Sequence, residues 1–267
     1  MIDWNIDERT TAHLDPSDAQ LKPFIQSIVE GTFSQDHIFC QNRNTVILSH
    51  FGGKQYVVKR FKRPTIANCF VYTCLRKTKC ERANLNAQTL LGLGVSTPRP
   101  VAWITQTHHG FFHTGWFVSE YMPRPSLLTL WLSLTPEQQD VVVDDLAVFI
   151  ANLFSNRILL GDYNLGNLLP QLESDGHYTF ALVDINRMRM GSVSTKREMK
   201  SIQTLSLDLE RMARFIDRYA EIRGLDPYKC CIWLSINHLT FERHRRMKHL
   251  LKTSLGIEQK RPCEVKV

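Results

Sequence analysis

No apolar run among the 267 residues reaches the length that a membrane-spanning helix needs. The opening stretch, MIDWNIDERTTAHLD, lacks the basic and apolar segments of a secretory leader. A cytoplasmic protein is therefore expected. There is no CxxC pair among the seven cysteines (Cys40, Cys69, Cys74, Cys80, Cys230, Cys231 and Cys263), so a zinc site is not expected. Their odd number and irregular spacing point to reduced thiols. Internal repeats and low-complexity segments are absent, and nothing in the composition suggests disorder except at the two ends.

Hydrophobic residues make up 43% of the chain and charged ones 22%, ordinary values for a folded globular protein. The net charge of +7 is unevenly spread. Between Lys54 and Arg82 there are nine Lys/Arg against one acid, Glu81, and a second basic cluster, RHRRMKHLLK, begins at Arg243. Such clusters favour phosphate-bearing partners. Nucleic acid is not expected, because the basic residues are not interleaved with aromatics as in a single-strand binder.

The front of the chain reads as strands. TVILSHF and KQYVVKRF are joined by Gly52–Gly53, a hairpin signal, and GWFVSEYM is a further β-rich run. Between them KCERANLNAQTLLGLG reads as a helix, and the prolines of VSTPRPVAWI return the chain to extended structure. After Met122 the character becomes helical. Thr135, Pro136 and Gln138 form an N-terminal capping signature, followed by the apolar face Val142, Leu146, Phe149, Ile150 and Leu153. YTFALVDINRMRM is one more β-like run, and two long amphipathic segments complete the chain. The expected division is residues 1–122, β-rich with one helix carrying Glu81, and residues 123–267, helical.

The segment ILLGDYNLGNLL, Ile158 to Leu169, interrupts two apolar runs with more acid and amide groups than a turn requires. Asp162 and Asn167 stand five apart, and seventeen residues later Asp184 ends the apolar run FALVD. Oxygen donors of this kind suit a hard cation such as Mg²⁺, leaving Asp162 to accept a proton from a hydroxyl. On the strand KQYVVKRF, Tyr56 and Val58 facing one side put Lys59 on the other. The order Lys59, Glu81, Asp162, Asn167, Asp184 is that of a phosphotransferase.

These motifs resemble those of the bacterial lipopolysaccharide kinases, the Kdo and heptose core kinases, within the protein-kinase-like superfamily. Their H-G-D-L-x-x-x-N and (L/I)-(I/V)-D-(F/L)-(D/N)-R are here LGDYNLGN and LVDINR, and VVKRF, ERANLNAQTLLGLG and GVSTPRPVAW match further family words. The resemblance spans roughly Val46 to Met190. It implies an α+β, two-lobed protein-kinase-like fold with a β-rich N-lobe and a helical C-lobe. It also implies Mg²⁺-ATP-dependent phosphorylation of a hydroxyl on a lipid-linked sugar, most plausibly the Kdo or heptose of the lipopolysaccharide inner core. In that scheme Asp162 is the catalytic base, Asn167 and Asp184 hold Mg²⁺, and Lys59, oriented by Glu81, holds the ATP phosphates. Glu120, Tyr121 and Met122 offer backbone groups to the adenine. The chain departs from the family pattern at Leu160, where the family has histidine; at Asn186 protein kinases have glycine, which the lipopolysaccharide kinases also lack. It also lacks a glycine-rich loop, whose place is taken by a polar turn at Asn42–Asn44. A small-molecule or protein Ser/Thr kinase, and a pseudokinase serving as a binding module, are the alternatives.

The basic segment 62–82 contains PTIANCFVYTCLRKTK, whose apolar residues Ile66, Phe70, Val71, Cys74 and Leu75 are flanked by cations. Two readings stand: a core helix, or an interfacial segment resting on an anionic membrane. The second would place the protein peripherally on the inner face of the cytoplasmic membrane.

Overall fold

Strand and helix signals sort into two units in the computed structural model, which describes residues 1–41 and 44–254. Residues 42–43 of the polar turn that stands in place of a glycine-rich loop, and Cys263, lie outside the described residues. Among the described residues, one unit comprises Met1–Pro123 with Asp184–Asn186, and the other Arg124–Val183 with residues 187–254. The fold is α+β, with a β-sheet N-terminal region and a helical C-terminal region.

The first unit is an antiparallel sheet of seven strands. In chain order these are β1 (Ile2–Asp7), β2 (Thr10–Leu14), β3 (His37–Gln41), β4 (Asn44–Phe51), β5 (Lys54–Phe61), β6 (Pro100–His108) and β7 (Phe111–Glu120), arranged β1-β2-β6-β7-β5-β4-β3. Three helices accompany them: α1 (Lys22–Glu30), α2 (Ile66–Cys74) and α3 (Lys79–Gly92). Alternation along β5 decides what each face carries. Tyr56 and Val58 join Phe24, Ile25 and Ile28 of α1 in the larger core cluster. Phe61, two residues beyond Lys59 and therefore on its face, packs with Cys80 and Ala83 of α3. The β4–β5 turn is closed by Gly52 and Gly53 at φ 57° and 75°, the left-handed pair that a two-residue hairpin loop demands.

The sequence-level expectation of disorder at the N-terminus is corrected here. MIDWNIDERTTAHLD forms the β1–β2 hairpin, with β2 paired to β6 and Ala12 and Leu14 fully buried. Its polar appearance comes from an exposed edge strand that alternates with a buried neighbour.

The second unit contains α4 (Leu127–Trp131), α5 (Pro136–Ser155), β8 (Ile158–Leu159), β9 (Leu168–Leu172), β10 (Tyr178–Leu182), β11 (Arg189–Met190), α6 (Thr195–Ile202), α7 (Leu209–Arg223) and α8 (Pro227–Ser254). The capping box at Thr135 and Gln138 is formed, and Val142, Leu146, Ile150 and Leu153 are buried along α5. β9 and β10 pair antiparallel, as do β8 and β11. The acidic loop thus runs from the β8–β11 ladder into the β9–β10 hairpin.

At Gly115 on β7 a Cβ would lie 2.6 Å from Cys80 Sγ and 2.8 Å from the Ile104 carbonyl oxygen. Only glycine lets α3 approach the sheet this closely. Gly115→Ala should therefore destabilise the protein by about 1–3 kcal/mol, the usual cost of overpacking, read as a lower urea midpoint at unchanged slope.

Candidate active site

In the sheet unit, Lys59 projects from β5 with its ammonium 5.5 Å from the Phe61 ring centroid and pairs with the Asp184 carboxylate. Asp184 sits at φ +54°, in the left-handed region that a short polar side chain tolerates better than an apolar one. Its carboxylate also accepts from the buried Asn186 amide. The following carbonyl, that of Ile185, is held by Asn86 Nδ2 of α3 at 2.7 Å. Asp184 is thus fixed from both sides, by an ammonium on the sheet and through a helix-anchored backbone.

Glu81 does not meet Lys59. It stands third in α3, where its N–H donates to the Thr78 cap (3.2 Å), and its carboxylate pairs with Lys77 at 3.3 Å. The position suits an acid in the first turn. The link from α3 to the Asp184 segment is made instead by Asn86, which sequence reasoning missed. Nothing local distinguishes Asn86 from the other amides of ERANLNAQ.

At the end of β7, the Glu120 N–H donates to the Arg99 carbonyl (2.9 Å) and the Tyr121 N–H to that of Gln55 (3.0 Å). The Glu120 carboxylate accepts from Arg99, which also forks onto the buried Asp18 at 2.7 and 2.9 Å. These two carboxylates hold the Arg99 guanidinium even more firmly charged than usual, Asp18 contributing most. Of the three residues expected to offer backbone groups, two have their N–H committed to protein acceptors. Met122 is the third.

In the helical unit, the acidic loop is a chain of local hydrogen bonds. Asp162 Oδ1 accepts from the Asn164 N–H (3.1 Å), Asn164 Oδ1 from the Gly166 N–H (2.8 Å), and the Asp162 carbonyl from Asn167 Nδ2 (3.5 Å). The Asn167 carbonyl accepts from the Val183 N–H at 3.0 Å, tying the loop to the end of β10. One of the two Asp162 oxygens is therefore occupied by the backbone, which fixes the direction of the other. Gly161 is required, because a Cβ there would lie 2.7 Å from Arg187 Cβ.

Leu160, the residue at the family's histidine position, is buried, and its carbonyl accepts from Ser201 Oγ of α6. Just past α6, Thr204 Oγ1 accepts from the Tyr163 N–H (2.7 Å) and donates to the Ser201 carbonyl (2.7 Å). The loop backbone is thus gripped from α6 on both sides of Asp162. α6 is itself anchored by Glu198, whose buried carboxylate accepts from Tyr219 OH (2.5 Å) and Arg223 Nη2 (3.0 Å) on α7. Burial, together with the Glu198 carboxylate, drives the Tyr219 phenol well above its ordinary range, so it stays a donor. Neither Ser201 nor Thr204 was singled out in the sequence, because serine and threonine near a helix end read as ordinary caps.

The family model for "Lipopolysaccharide kinase (Kdo/WaaP) family" matches residues 33–220. The chain belongs to this family. It is an enzyme family, and membership implies ATP-dependent kinase activity in lipopolysaccharide biosynthesis. Among solved structures the chain is similar to "WaaP in complex with acyl carrier protein", at 15% identity and TM-score 0.59, covering 86% of this chain and 98% of that one. It is also similar to WbdD, in one case bound to a kinase inhibitor. There the identity is 14–15%, the TM-scores are 0.43 and 0.46, and coverage is 76% of this chain and 45% of those. No curated protein sequence matches the chain. Among the described residues no helix is long and apolar enough to cross a membrane.

The α6 grip gives this lipopolysaccharide kinase a test. Thr204→Val leaves the Tyr163 N–H without an acceptor. It should lower stability by about 1–3 kcal/mol, measured by urea unfolding. It should also reduce kcat with little change in the nucleotide KM, because Lys59 and Asp184 are untouched.

Proposed function

We propose that this kinase transfers the γ-phosphoryl group of ATP to a sugar hydroxyl of the lipopolysaccharide inner core, a Kdo or heptose, with Mg²⁺ as the metal. Family membership supports the class of acceptor, and the Lys59–Asp184 pair is the observation that carries the chemistry. An ammonium and a carboxylate held together on the sheet face are the two charges that phosphates and a divalent cation respectively require.

The donor set suits Mg²⁺. Asp184 offers a carboxylate and Asn167 an amide oxygen, both hard donors. Among the described residues no group of three or more His, Cys, Asp or Glu could hold a metal by itself. A cation bound by one or two side chains and completed by phosphates is the mode that Mg²⁺ favours. When bound, it would neutralise charge on the transferred group. Lys59 would then exchange Asp184 for the phosphates. Asp162, with one oxygen held by the Asn164 N–H, would take the hydroxyl proton on the other. The Met122 N–H is the donor best suited to the adenine, and Glu81 supports the N-terminus of α3.

A lipid-linked acceptor also implies work at a surface. We assign segment 62–82 to peripheral docking on an anionic bilayer, on the cytoplasmic side. Phe70 and Leu75 are exposed on and after α2, while Cys69 is buried beneath them. The helix therefore packs on the sheet by one side only.

Incubation with ATP, Mg²⁺ and purified inner-core glycolipid, read by mass, should show addition of one phosphate. No turnover of any acceptor with Mg²⁺ present would favour the pseudokinase alternative. Asp162→Asn should keep nucleotide binding and lower kcat by about 10²–10⁴, the usual contribution of a positioned base; a loss of only a few-fold would refute its role. Asp184→Ala should weaken Mg²⁺-dependent nucleotide binding more than Asn167→Ala, because the carboxylate is the stronger ligand for a hard cation. Calorimetry with and without Mg²⁺ compares the two.

A further inference from the structure

The sheet unit carries a groove of about 380 Å³, lined by Arg63, Phe70, Phe111 and three histidines, His108, His109 and His113, among others. None of these is among the candidate catalytic, nucleotide-binding or metal-binding residues; Arg63 and Phe70 lie in segment 62–82. Two departures from regular β-structure shape it. The β6–β7 loop is the pair His109–Gly110, at φ 50° and 76°, so a histidine occupies a position where glycine or asparagine is usual. The register then slips: Gln106 opposes Thr114 and Thr107 opposes Phe112, leaving His113 as the extra residue of a bulge. A regular strand sends successive side chains to opposite faces. The bulge is what lets Phe111, Phe112 and His113 all line one groove. α2 closes the other side, with Thr73 Oγ1 accepting from the Phe112 N–H (2.8 Å) and the Phe70 and Phe111 rings 6.4 Å apart.

The charged groups that act on His108 and His113 are all basic. His108 is faced by His109, Arg9 and Arg63, and His113 by Arg63, His108 and Arg60. α2 contributes no acid, and the nearby Asp7 accepts from the Arg9 backbone N–H (2.7 Å). Arg63 forms no ion pair among the described residues. Both His108 and His113 are held below the ordinary histidine range, His108 chiefly by His109 and His113 chiefly by burial, with the arginines adding to each. Phe70 and Phe111, at the rim, are 52% and 46% exposed.

We propose that this groove seats the phosphate of an anionic phospholipid headgroup, with Arg63 as fixed charge, His108 and His113 as donors, and Phe70 and Phe111 reaching the acyl boundary. Cations without an acid select an anion, and aromatic rings around them select an amphiphilic one. The inference deepens the surface-docking reading of segment 62–82 by naming a site within it. A bound phosphate would raise the two depressed histidines. Binding therefore takes up protons, and affinity rises as pH falls through their free-state range.

Sedimentation of the full chain with phosphatidylglycerol-containing vesicles, against phosphatidylcholine alone, tests this without nucleotide. Wild type should bind the anionic vesicles, more tightly at about pH 6 than at about pH 8. Arg63→Gln should weaken binding by about fivefold, as expected for one charge near an anionic surface. Phe70→Ser should weaken it further, and His108→Gln with His113→Gln should remove the pH increment. Both Arg63 and Phe70 are exposed, so their loss leaves the core intact; unchanged nucleotide affinity checks this. If wild type sediments and the Arg63 and histidine variants match it at both pH values, docking stands but the groove is not its seat. If wild type ignores anionic vesicles, groove and docking reading fall together. If inorganic phosphate shifts the His113 ring resonances while vesicles do not bind, the site takes free phosphate and the lipid assignment is overturned.

Discussion

Asp184 is the residue on which the arrangement turns. Its carboxylate is the partner of Lys59, its backbone is in the left-handed region, and the three residues 184–186 belong to the sheet unit although the chain on either side belongs to the helical one. A left-handed aspartate is costly unless its surroundings hold it. Here Lys59, the Asn186 amide and the Asn86 bond to the next carbonyl all do so. An uncompensated ammonium on the half-covered face of β5 would be equally costly. The pair therefore solves two problems at once.

The acidic loop shows how a kinase loop can be held without the family's histidine. Leu160 fills that position with apolar bulk, and the backbone polar groups around it are taken by hydroxyls of Ser201 and Thr204. These hydroxyls are in turn positioned by a helix locked through Glu198, Tyr219 and Arg223. A buried carboxylate is tolerated because two donors satisfy it. With leucine at position 160, the backbone on both sides of Asp162 is held by hydroxyls on α6 and just past it.

The basic excess of the front half has more than one use. Lys59 meets Asp184, Lys77 meets Glu81, and Arg60 lies 5.5 Å from the Trp116 ring. Arg63 and the histidines around the β6–β7 turn line a separate groove.

Much of the fold was legible because it is written in local pattern. The β4–β5 hairpin follows from alternation around Gly52–Gly53, the start of α5 from its capping box, and the family from the words around Asp162 and Asp184. The motif residues could be named because each sits in a short, chemically odd stretch. Partnership was not legible. Lys59 was expected beside Glu81 and stands beside Asp184; Asn86, Ser201 and Thr204 carry no local sign of what they hold; the β1–β2 hairpin looked like a polar tail. Each of these depends on residues tens of positions apart arriving at one place. Sequence periodicity encodes which face a side chain takes, whereas tertiary packing decides which group of opposite polarity it meets there.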